Sequence, residues 1–83
     1  MRYTVVYVPA AENHLADIWM QAADPDAVED ASNEIDRRLK RSPDRVGQSF
    51  GSYRRLTVYP LAVDYTVSSQ DRMVRVIRVE FLP

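Results

Sequence analysis

The sequence predicts an α+β domain of order β-α-α-β-β-β, with an N-terminal helical hairpin packed on one face of a small, mainly antiparallel four-stranded sheet. Three observations carry this reading. Residues 53–81 alternate apolar and polar positions in three consecutive runs, two upstream segments repeat their apolar residues every three or four positions, and a β-branched, aromatic segment opens the chain. At 83 residues there is room for one domain, residues 1–83, around one small core. No cysteine is present, so neither a disulfide nor a thiolate metal site reinforces it. A stabilising partner or a self-associated dimer is therefore expected.

Arg2–Val8 reads as the first strand, ended by Pro9. Pro9 suits the first position of a helix, where its missing donor is not needed. Val8 before it offers no side-chain acceptor, so this helix start is weakly capped. From Pro9 to about Ala23, the residues Ala11, Leu15, Ile18, Trp19 and Ala22 form an apolar stripe. Trp19 is read as the large core filler beneath the sheet; an exposed Trp19 would instead mark an interface. His14, the only histidine, has no companions for a metal site, and neither metal nor cofactor is expected.

Asp24-Pro25 is a strong start signal for a second helix, with Asp as cap and Pro in the first turn. That helix should run to about Arg41 with Ala27, Val28, Ala31, Ile35 and Leu39 inward. Barely a turn of polar sequence separates the helices, which makes them an antiparallel hairpin. Ser42–Gly51 is read as a basic loop in which Lys40, Arg41 and Arg45 are candidate contacts, and Phe50 is expected to tuck against the hairpin.

Strands Tyr53–Tyr59, Leu61–Ser68 and Arg72–Phe81 follow as antiparallel neighbours. Alternation turns Leu56 and Val58 inward, then Leu61, Val63, Tyr65 and Val67 after a change of parity at Tyr59-Pro60. In the last strand both faces are interrupted by an arginine, and alternation alone does not choose between them. Two helices on one side leave the other side of the sheet bare. That face, carrying Arg55, Thr57, Asp64, Thr66 and one or both of Arg75 and Arg78, is the expected functional surface, a basic groove.

Charge is segregated along the chain. Residues 1–36 hold one basic and eight acidic side chains, whereas residues 37–83 hold ten basic and four acidic ones. An acidic helical side and a basic sheet side would suit an acidic partner or nucleic acid; complementing the helix dipoles is the simpler reading of the same pattern. No targeting signal or membrane-length apolar run is read, and the lack of cysteine fits a cytoplasmic protein.

The order and spacing of three fragments resemble the RelE/ParE superfamily of bacterial toxins from toxin–antitoxin pairs. Tyr3-Thr-Val-Val-Tyr-Val-Pro-Ala-Ala-Glu12, with Leu15 and Ile18-Trp19, is similar to the family's opening strand and helix start. Arg55-Leu-Thr-Val-Tyr-Pro-Leu-Ala-Val-Asp-Tyr65 resembles its hairpin, and Val74-Arg-Val-Ile-Arg-Val79 its closing strand. Family members commonly continue into a His-Arg-Arg-x-x-Tyr or similar segment, where this chain has Glu80-Phe-Leu-Pro83.

The resemblance implies a cognate antitoxin as partner. In the mRNA-cleaving members it also implies basic residues and a C-terminal tyrosine around the scissile phosphate, which need a base, an acid and guanidinium groups. This sequence supplies Arg55 at the hairpin position, with no tail tyrosine or obvious base, so no catalytic residue is assigned. Three readings follow. The first is a toxin component acting by protein binding, with DNA gyrase as a ParE-like target. The second is a ribosome-dependent mRNA endonuclease using Arg55, Arg75 and Arg78 for phosphate. The third is a non-toxic small domain that dimerises through an edge strand or an exposed Trp19.

Overall fold

The computed structural model describes residues 2–83. Its elements are β1 (Thr4–Tyr7), α1 (Pro9–Gln21), α2 (Pro25–Arg41), β2 (Gln48–Ser49), β3 (Arg54–Val58), β4 (Leu61–Ser68) and β5 (Met73–Phe81). They form a five-stranded sheet ordered β1-β5-β4-β3-β2, in which β1 runs parallel to β5 and every other pair is antiparallel. The two helices lie on one face, as the alternation of the strands requires.

The fifth strand is the difference from the expected four. Gln48 and Ser49 pair with Arg55 and Arg54 inside the segment read as loop. Two polar residues carry no periodicity, so tertiary pairing alone makes them a strand. Gly47 permits it: its φ is +72°, and a Cβ there would collide with the Arg55 carbonyl.

Both helix starts follow their local chemistry. Val8 provides no side-chain cap ahead of Pro9, while the Asp24 carboxylate accepts from the Ala27 amide at 3.2 Å. A missing cap of this kind is worth about 1 kcal/mol, so α1 depends on tertiary contacts more than α2 does. Those contacts come from Ala11 and Ile18, which join Val28, Ala31, Ile35 and Leu39 over Leu56, Leu61, Val63, Tyr65, Val74, Val76 and Val79.

A β-bulge resolves the last strand. Asp64 lies opposite Arg78 and Tyr65 opposite Val76, which leaves Ile77 without a partner on β4. One inserted residue reverses parity. Val74, Val76 and Val79 can therefore all be buried, while Arg75, Arg78 and Glu80 share the outer face with Thr66, Asp64 and Ala62.

Two aromatic expectations are corrected. Trp19 is 49% exposed and does not fill the core; the fully buried Tyr65 does. Trp19 follows Ile18 on the helix, and once Ile18 faces the sheet its neighbour turns out toward α2 and solvent. Phe50 is also exposed and stacks on Tyr53 with ring centroids 5.5 Å apart, away from the hairpin.

Candidate functional site

The outer face is organised by one carboxylate. Asp64 is 1% exposed although it points away from the core. Its Oδ1 accepts from Arg55 Nε at 2.7 Å and its Oδ2 from Arg55 Nη2 at 3.1 Å, a bidentate pair. Arg78 Nη1 lies 3.3 Å from Oδ2, and Arg55 Nη1 lies 3.1 Å from Glu80 Oε1. The register explains the convergence: Arg55 and Arg78 flank Asp64 on the neighbouring strands, and Glu80 sits two residues along β5 from Arg78. The hydrogen bond that Arg55 donates to Asp64 is the main influence holding its guanidinium above its ordinary value, against the effect of burial.

Two guanidiniums and two carboxylates make this cluster electrically neutral. The structure thus brings Arg55 and Arg78 together as a cross-strand clamp and not as the open basic groove expected of Arg55, Arg75 and Arg78. Arg75 shares the face, is exposed, and makes no ion pair among the described residues. It sits opposite Thr66 and Val6 and stands apart from the clamp.

The expected loop contacts separate in the same way. Lys40 and Arg41 line an open groove of about 780 Å³ with Arg2, Asn33, Asp36, Arg37 and Ser42. Arg45 is exposed in the connection after α2, outside that lining. Asp36 is engaged from the sheet side, where the Tyr7 hydroxyl donates to its Oδ1 at 3.0 Å. Burial, then the Asp36 charge, pushes the Tyr7 phenol well above its ordinary range.

Arg54 was not singled out from the sequence, yet it holds the loop. It sits on the core-facing parity of β3, and its Nε and Nη2 donate to the Val46 carbonyl at 3.2 and 3.0 Å. Tyr65 points its hydroxyl at the same carbonyl, 2.9 Å away, and at that of Pro43, 2.8 Å away. Burial is the main cause raising its phenol above the ordinary value. The signal for Arg54 was available, because the alternation that turns Leu56 and Val58 inward turns Arg54 inward too.

On the helical side, Leu15, Ala16, Trp19 and Val28 form an apolar groove of about 310 Å³ between α1 and α2, edged by Glu12, Glu29, Ser32 and Asn33. Met20, beside Trp19, is 75% exposed. Among the described residues no three potential ligands gather to hold a metal ion, and no helix is long and apolar enough to cross a membrane.

No protein-family model matches the sequence, and no curated protein does. Solved structures do match. A chain of the RelBE2 toxin–antitoxin complex of Mycobacterium tuberculosis superposes with a TM-score of 0.80 at 21% identity, over 98% of this chain and 99% of that one. A chain of the chromosomal ParDE system of P. aeruginosa gives a TM-score of 0.75 at 16% identity, over 99% and 98% of the two chains. The isolated E. coli RelE toxin gives 0.70 at 14% identity, over 98% of this chain and 85% of that one. Superposition along nearly the whole chain establishes that this protein has the RelE/ParE-like toxin fold.

Proposed function

We propose that this chain is the toxin-like component of a type II toxin–antitoxin pair, held by a cognate antitoxin and acting by binding protein, with DNA gyrase as its cellular target. The observation that carries the reading is the groove between α1 and α2. An indole left half-exposed beside Leu15 and Val28 is the kind of anchor on which a partner helix gains most of its binding energy. From Pro9 to Asp36 the hairpin carries acidic side chains and no arginine or lysine. Its complement is a basic amphipathic segment of the antitoxin, steered in by charge and seated on Trp19.

The clamp on the sheet supports binding over chemistry. Arg55 and Arg78 are committed to carboxylates, and Asp64 spends both oxygens on guanidiniums. A phosphodiester at this face would meet no unengaged base beside them.

Induced expression in a bacterial host is expected to arrest growth, and co-expression of the adjacent small open reading frame to relieve the arrest. The purified chain should inhibit supercoiling by gyrase and leave ribosome-bound mRNA intact. Trp19→Glu, a surface change, is expected to weaken antitoxin binding by about 30-fold in titration calorimetry, as a central anchor does. Cleavage of ribosome-bound mRNA that disappears with Arg75→Ala would replace this reading with the ribosome-dependent endoribonuclease. Unaffected growth with no co-purifying partner would leave a non-toxic interaction domain, with a homodimer through Trp19 as its first form to test.

A further inference from the structure

We infer that the groove at the end of α2 is a docking surface for the phosphate backbone of double-stranded nucleic acid. It lies off the sheet's outer face and meets the hairpin groove at Asn33. Its cations come from two elements that fold brings together. Arg37, Lys40 and Arg41 occupy the last turns of α2, and Arg2 precedes β1. The Tyr3 amide donates to the Lys40 carbonyl at 2.9 Å and so fixes Arg2 beside the helix end. Complementing the helix dipole accounts for cations at the end of α2. It does not account for a further arginine delivered there by the sheet.

These charges are available in a way that Arg55 and Arg78 are not. Among the described residues Arg2, Lys40 and Arg41 make no ion pair. Arg37 pairs with Glu34, which also accepts from Arg38 Nε at 2.7 Å. A phosphate at Arg55 or Arg78 must displace Asp64 or Glu80, whereas one reaching Arg2, Lys40 or Arg41 displaces only water and counterions, which is the source of affinity for nucleic acid. Of the hairpin's acidic residues, Glu34 reaches this groove through its ion pair with Arg37. The opposing charge within the groove is Asp36, held by Tyr7.

The lining also selects the form of the polyanion. It includes no aromatic side chain, and binders of single strands rely on aromatic platforms for stacking. Three arginines, a lysine, Asn33 and Ser42 offer donors that suit phosphate oxygens, along a groove of about 780 Å³. A duplex, DNA or RNA, presents that backbone without requiring stacking.

The test is fluorescence anisotropy with the full chain and labelled 20-base-pair DNA and RNA duplexes over a range of salt. Lys40→Ala/Arg41→Ala should weaken binding about tenfold or more and flatten the salt dependence by about two units, since each phosphate contact contributes about 0.9. Asp36→Asn, which keeps an acceptor for Tyr7 while removing the charge, should tighten it. Lys40→Arg/Arg41→Lys should retain it. Preference for the DNA or for the RNA duplex would name the source within the proposal. Duplex binding that survives Lys40→Ala/Arg41→Ala, or that a poly-glutamate chain of equal charge abolishes, would overturn it, the latter in favour of an acidic protein. So would the absence of binding at low salt.

Discussion

The sheet's outer face and the end of α2 hold the same residue types in opposite electrostatic states. On the sheet, Arg55 and Arg78 close over Asp64 and Glu80. At the helix end, Arg2, Lys40 and Arg41 stand with no carboxylate partner among the described residues. A count of arginines therefore says little about where positive charge is offered. What matters is whether the register of neighbouring strands puts a carboxylate within reach, as the Arg55–Asp64–Arg78 row does. The clamped arginines cross-link strands, and the free ones remain available to an anion.

The largest test of this contrast is on stability. Arg55→Ala leaves the buried Asp64 carboxylate with Arg78 alone, and should cost about 3 kcal/mol, the low end for breaking a buried pair. Urea unfolding measures it, and Arg55→Leu/Asp64→Leu should restore much of the loss because no charge is then left buried. An Arg55→Ala protein as stable as the parent would show the clamp to be ornamental.

Alkaline titration gives the next effect. A phenol whose folded value is raised contributes stability that is fully present below the ordinary phenol value, about 10. That contribution is lost as pH rises above it toward the folded value. Tyr7 and Tyr65 should therefore make the fold progressively less stable above about pH 10. Asp36→Asn should bring the ionisation of Tyr7 to lower pH, seen in absorbance at 295 nm as the loss of a late-ionising phenol that Tyr7→Phe also removes. This links the sheet to the groove through one shared carboxylate.

The smallest effect completes the comparison. Lys40→Ala/Arg41→Ala should change unfolding free energy by less than about 0.5 kcal/mol, since both side chains are exposed and unpaired. A large loss there would mean that the groove cations are structural after all.

Much of this was legible in the residues. The Asp24-Pro25 start, the apolar stripes of α1 and α2, and the alternation in β3 and β4 predicted the elements to within a few residues, because each is written in local chemistry. The candidate site was less so. Alternation turned Arg55 to the bare face but set Arg75 and Arg78 on opposite sides of the last strand, and only the bulge at Ile77, which no periodicity announces, puts both on the outer face. Trp19 obeyed the helical stripe and still lies outside, because a stripe of five residues is wider than the contact between one helix and this sheet.

Sequence by itself determined the α+β class, the order of elements, the helical hairpin, the buried face of β4 and the segregation of acid from base along the chain. Those follow from side-chain spacing and capping, which act over a few residues. Only the tertiary structure decided that two outer-face arginines are neutralised, that Arg2 joins Lys40 and Arg41, and that the indole of Trp19 is left half-exposed. Each of these depends on which strand or helix end lies a few ångströms away in space, and packing and register settle that across most of the chain length.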